Sequence, residues 1–147
     1  MATYPKVTKP WRGYPSSNTI MAIRLRLQQA PVPDPTGQVP LGTIALSNGK
    51  PVHVGTIPKG AFILPTFRQV ITVFNGTTPT LKIGTELDPE AVLKAADSGL
   101  TTVSVTSGLV GLQTGLAQTE LVLFALINTA ATTGAAEFLI PFYIQKD

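Results

Sequence analysis

Cysteine is absent from the 147-residue chain. That excludes a disulfide framework and any thiolate metal site, so stability has to come from packing or assembly. Charge is scarce as well. Charged residues make up 13% of the sequence, about half the usual share. A surface so poor in charge is weakly solvated and favours burial against partners. His53 is the single histidine. One imidazole cannot build a His-based metal cluster, and a Ser–His–Asp relay would need it as base in a chain with no nucleophile-elbow motif. Long apolar runs are missing. The most apolar stretch, Leu121 to Ala131, falls well short of the roughly 20 residues that cross a bilayer. No apolar segment of the secretory kind follows the N-terminal cations. These absences lead us to expect a product made in the cytoplasm, with no membrane partner, no cofactor and no catalytic residues.

Phosphate cradles fail in detail. Asn48-Gly49-Lys50 has Ile44 where a P-loop requires glycine. Asn75-Gly76-Thr77 has the form of a glycosylation sequon, but without a secretory signal it reads as a turn. No stripe of Lys and Arg interleaved with aromatics is present, so nucleic acid is not an expected partner.

What is present is a chain 44% hydrophobic, enough for one core. Its net charge of +3 is unevenly placed. Residues 1–33 hold Lys6, Lys9, Arg12, Arg24 and Arg26 with no acid, while the remainder is two units negative. Residues 1–19 read as an extended arm, because Pro5, Pro10 and Pro15 block regular helix and central strand. Tyr4, Trp11 and Tyr14 lie among these prolines, beside Lys6, Lys9 and Arg12. A frayed terminus needs neither aromatics nor clustered cations. Rigid aromatics are favoured interface anchors, so these six residues are the expected binding residues.

Residues 20–147 read as a single domain of short strands. Over Ile20 to Gln28, Met21, Ile23, Leu25 and Leu27 alternate with Ala22, Arg24, Arg26 and Gln28, which turns both arginines outward. A proline-rich loop follows to Gly37. Strands are expected at Val39–Leu46, Pro51–Ile57, Ala61–Leu64, Thr66–Phe74, Thr80–Gly84 and Thr101–Thr106. Asn48-Gly49 and Asn75-Gly76 are hairpin signals, and Pro58-Lys59-Gly60 is a further turn. Phe67, Ile71 and Val73 share a face, Leu81 and Ile83 point inward, and His53 faces solvent. Thr119 to Thr129 is apolar throughout, as in a strand buried on both faces or lying at an interface. Glu137–Gln145 is the last strand, with Pro141 arguing for an edge or a bulge.

One short helix is expected. Asp88 suits an N-cap, Pro89 the first helical position and Glu90 the dipole, with Ala91 to Ala96 propagating to Asp97-Ser98-Gly99. The acids Glu86, Asp88 and Glu90 also raise a calcium site, but their spacing lacks the EF-hand pattern and capping explains them more simply. The whole pattern is an all-β antiparallel sandwich, jelly-roll-like, with one short helix and an extended N-terminal arm.

The central segment carries a resemblance. Gly60-Ala61-Phe62-Ile63-Leu64 precedes a strand ending in Val73-Phe74-Asn75-Gly76. Leu81-Lys82-Ile83-Gly84-Thr85 and Asp88-Pro89-Glu90-Ala91 follow. With the Thr/Ala-rich end from Thr129 to Tyr143, this order of strands and turns resembles the head decoration, or cement, proteins of tailed bacteriophages. The resemblance runs over residues 55–145 and omits the arm. It implies a structural protein of the virion, not an enzyme, on the capsid surface. Its implied partners are the major capsid protein and itself, as a homotrimer. The subunit contact would involve part of residues 119–129 or Leu109–Leu116. A head-fibre base, tail or adaptor subunit and a carbohydrate-binding sandwich are the alternatives. The last is disfavoured because the one tryptophan lies in the arm.

Overall fold

A computed structural model of the chain describes residues 18–29, 43–46, 48–113, 115–128 and 131–145. Ten strands occur in this order: β1 Asn18–Gln29, β2 Thr43–Leu46, β3 Val52–Ile57, β4 Ala61–Ile63, β5 Thr66–Thr72, β6 Leu81–Gly84, β7 Ser104–Leu109, β8 Gly115–Leu116, β9 Leu121–Ile127 and β10 Ala135–Gln145. They form two sheets, seven-stranded and three-stranded. The protein is an all-β sandwich.

In the large sheet β10 is central. β1 pairs along one side of it, and β2 lies outside β1. On its other side β4 and β5 lie end to end, with β8 beyond β4 and β7 beyond β5. The small sheet runs β3–β9–β6. Pairing is antiparallel except between β1 and β2, where Arg26 to Gln29 run parallel to Thr43 to Leu46.

The core forms where the inward rows of the two sheets meet. β1 contributes Leu25 and Leu27, and β10 contributes Phe138 and Ile140. β9 gives Leu121, Leu123, Ala125 and Ile127, while β6 gives Leu81 and Ile83 as its pattern predicts. The layers touch closely at Gly55, where an added Cβ would lie 2.9 Å from Ile23 Cδ1. In β9 the alternate residues Val122, Phe124 and Leu126 point away from the core and are only partly covered. The apolar run is therefore buried on one face, not two.

Three local expectations need correction. First, neither Asn-Gly turn closes a hairpin. Asn48-Gly49 carries the chain from β2 in the large sheet to β3 in the small one, and Asn75-Gly76 joins β5 to β6 across the same gap. The partners of these turns lie elsewhere in the chain. Gly49 donates its N–H to the Ile127 carbonyl. The Asn75 side chain accepts from the backbone of Thr132 and Thr133 at 2.8 and 3.0 Å and donates to Thr132 Oγ1. It pins the turn to the β9–β10 connection.

Second, residues 88–96 are not a helix. Only Ala95–Asp97 make a single 3₁₀ turn. Ala91, Val92 and Leu93 are all buried, which three consecutive positions on one surface helix cannot achieve. The segment runs beside β6, where Val92 and Leu93 donate to the Ile83 carbonyl and Ile83 N–H returns to Leu93. On its other side Leu112 and Gln113 donate to the carbonyls of Glu90 and Ala91. Two glycines permit this close approach. A Cβ on Gly84 would lie 2.2 Å from the Asp88 carbonyl oxygen, and one on Gly111 would lie 2.1 Å from that of Ala91. The carboxylates expected to cap a helix serve this loop instead, with Ala95 N–H donating to Glu90 Oε2 at 2.6 Å and Glu90 N–H to Asp88 Oδ1 at 3.3 Å.

Third, Pro141 sits in the central strand, opposite Ala22. It is tolerated because it falls where β10 changes partner from β5 to β4. Its carbonyl accepts from Leu64 at 2.9 Å, and Pro65 follows at the same break. The donor that proline lacks is thus missing where the ladder is already interrupted.

Candidate functional site

The period of two decides which side chains share a face. On β5 the inward row is Thr66, Arg68 and Val70, all buried. Phe67 and Ile71 do share a face, and it is the outward one. This orientation is stabilised by Arg68, which is 7% exposed. Its guanidinium donates to the Asp97 carbonyl, to Thr106 Oγ1 at 2.7 Å and to Ser104 Oγ at 3.4 Å. Desolvation pulls its pKa below the usual arginine range, and the negative charge of Asp97 opposes that shift. Gly99, with φ of 53°, leaves the space it occupies, since a Cβ there would lie 2.6 Å from the guanidinium.

With Arg68 inside, apolar side chains line the outside of the large sheet. Register aligns them, with the polar side chains among them, in rows across the strands. One row runs Ile20, Tyr143, Phe62 and Leu116 over β1, β10, β4 and β8. Phe62 and Tyr143 stack with ring centroids 5.4 Å apart. A second row runs Arg24, Leu139 and Phe67, and a third runs Arg26, Glu137, Gln69 and Val105. Ile20 is 68% exposed and Val105 is 75% exposed. Val110 and Leu112, in the connection from β7 to β8, are also exposed. Isolated exposed apolar residues are ordinary, but contiguous rows on one sheet face mark an interaction surface. Charge on this face is biased to the positive. Glu137 serves both Arg26, at 3.7 Å, and Arg24, at 4.0 Å.

The outward face of the small sheet is different. His53 is solvent-facing, as expected, and meets Phe124 edge-on with centroids 5.7 Å apart. Phe124 and Leu126 floor a cleft of about 390 Å³, walled by Pro51 and Pro89, with Glu86 in its lining. Leu87, next along the chain, is 98% exposed. Among the described residues no group of three or more His, Cys, Asp or Glu is arranged to hold a metal ion.

The six arm residues, Tyr4, Lys6, Lys9, Trp11, Arg12 and Tyr14, lie outside the described residues. Of the two expected subunit-contact segments, both expose apolar side chains: Val110, Leu112 and Leu116 in one, Val122 in the other. The outward row of β5 was not legible as a surface from sequence. Its one signal is Arg68, a charge in the row alternate to two large apolar residues.

No protein-family model matches the chain, and no curated protein matches it. Its fold does match solved structures. A chain of the cyanophage Pam1 capsid asymmetric unit superposes with a TM-score of 0.56 at 14% identity, over 95% of this chain and 94% of that one. A chain of the acid-stable capsid of Helicobacter pylori bacteriophage KHP30 gives 0.54 at 11% identity, over 86% and 89%. A chain of the capsid of Ralstonia phage GP4 gives 0.50 at 16% identity, over 100% and 92%. At these identities the likeness is one of fold, and it extends over nearly the whole of each chain.

Proposed function

We propose that this protein is a structural component of a tailed-phage particle, and specifically a head decoration protein that binds the outside of the capsid as a trimer. The observation that carries the reading is the outward face of the large sheet, where Phe67, Leu139, Phe62, Leu116 and Val105 lie in register and unburied. A sandwich with such a face is suited to binding by area instead of by chemistry. The near full-length fold likeness to chains of three phage capsids supports the same class. In this reading, the major capsid protein and further copies of this chain are the partners. The exposed Val110, Leu112 and Leu116 form the contact between copies. The shell is stabilised by mass action, because a protein that binds only the assembled lattice lowers the free energy of that lattice.

The test is addition of the purified protein to heads assembled without it from the major capsid protein encoded in the same phage. Saturable binding, with heads that then resist heat or low salt better, is expected. Absence of binding, with head stability unchanged, would overturn the reading.

A further inference from the structure

We propose that the cleft on the small sheet receives the N-terminal arm of a second copy of this chain, with Trp11 over Phe124 and Arg12 beside Glu86. The cleft has the size of a binding pocket and an aromatic floor between two prolines. Such a slot suits a flat ring. The chain has one tryptophan, and it lies within the 17 residues that precede β1.

Charge points the same way. Residues 1–17 carry Lys6, Lys9 and Arg12 and no acid. The loop at the mouth of the cleft carries Glu86, Asp88 and Glu90. Asp88 and Glu90 accept local backbone N–H groups, whereas Glu86 is exposed and makes no hydrogen bond or ion pair among the described residues. Lys82 stands opposite the lining residue Leu126 across β6 and β9, and Lys50 adjoins Pro51, so three acids and two cations border the lining. The outward face of the large sheet, with Arg24 and Arg26 against Glu137, would repel the same arm. Leu87 gives an arriving aromatic segment an apolar rim to cover.

A second copy fits better than the arm's own domain. β1 starts in the large sheet, with Asn18 opposite Gln145, and the cleft opens on the far side of the other sheet. Prolines every five residues favour an extended course. At about 3.1 Å per residue, the seven steps from Asn18 back to Trp11 reach roughly 22 Å from the strand end. An arm leaving the large sheet extended in this way is offered to a neighbouring copy.

Trp11, as the sole tryptophan, reports its own burial. The emission maximum of the full-length protein would be followed through a dilution series, with light scattering on the same samples. We expect blue-shifted, quencher-shielded emission in the associated species and red-shifted emission in the monomer. Glu86→Arg should raise the midpoint concentration by about threefold, and Arg12→Glu combined with Glu86→Arg should restore it. Blue-shifted emission in samples that scatter as monomers would overturn the exchange between copies. Red-shifted emission at every concentration would overturn docking of the arm. A midpoint unmoved by Glu86→Arg would overturn the cleft as its site. No capsid shell enters the experiment, so its failure and the failure of the decoration reading are separable.

Discussion

The two outward faces of this sandwich both carry apolar side chains, more of them on the large sheet, and differ in shape and charge. The large sheet presents rows of Phe, Leu, Ile and Val in register, with two arginines sharing one glutamate. The small sheet presents a cleft on Phe124 with Glu86, which has no partner among the described residues, in its lining. Both rest on the same inner layer. The difference teaches that alternation fixes which residues travel together, while packing partners decide which row turns inward. On β5 the inward row holds Arg68, because Asp97, Ser104 and Thr106 offer oxygens to its guanidinium. Phe67 and Ile71 are then left for solvent or for a partner.

The largest expected effect comes from the layer both faces share. Phe138 is among the largest fully buried side chains. Phe138→Ala should destabilise the fold by about 3–5 kcal/mol, measured by chemical denaturation, and should impair both faces together. Loss of one face with the other intact would break the idea of a common support.

Adjacent residues on β5 then sharpen the contrast between inside and outside. Arg68→Ala removes three hydrogen bonds that tie the 95–98 turn and β7 to β5. It should cost about 2–3 kcal/mol. Phe67→Ser, one position away, should change stability by no more than about 0.5 kcal/mol. Equal losses from the two variants would mean that the outward row contributes to the fold and is not a free surface.

Binding should reverse that ranking. Phe67→Asp with Val105→Asp places carboxylates in two neighbouring rows of the large-sheet face. We expect an unchanged melting temperature and about thirtyfold weaker association with undecorated heads, the scale of losing one buried aromatic anchor. Full-strength binding by this variant would remove the large-sheet face from the contact.

The strands were largely legible in the sequence, because period-two alternation and β-branched residues mark half-buried sheet. Their pairing was less so. Asn-Gly identifies a turn from backbone conformation alone, but whether the returning strand joins the same sheet depends on residues far away. Gly49 bonds to Ile127 and Asn75 to Thr132 and Thr133, contacts that no local pattern announces. The misread helix has a similar cause. Asp88-Pro89-Glu90 is good helix-start chemistry, yet a path of turn and bend between β6 and the 110–113 loop buries three residues in a row and satisfies its backbone on both sides. Gly84 and Gly111 were the available signal, lying before and after the segment. The outward β5 row was hidden because large apolar residues are read as core, and only the cluster of oxygens around Arg68 reverses that reading.

The smallest effect tests the charge half of the comparison. Arg24 has 79% of its side chain exposed and lies at the outer limit of ion-pair distance from Glu137, whereas Arg26 is closer to that carboxylate and more covered. Glu137 therefore leaves most of the Arg24 charge unneutralised on a face otherwise rich in apolar side chains. A partner surface bearing carboxylates would be attracted to it, and the attraction would fade as salt shortens the screening length from about 10 Å at 0.1 M toward about 3 Å at 1 M. Association with heads should accordingly weaken as ionic strength rises. Arg24→Glu should weaken it a further few-fold at low salt, as expected for one exposed charge, and flatten the salt dependence. Its folding should be unchanged, since Arg26 retains Glu137. Binding that responds to salt identically in both proteins would show that the large-sheet face engages its partner through apolar area alone, with no electrostatic preference between the two faces.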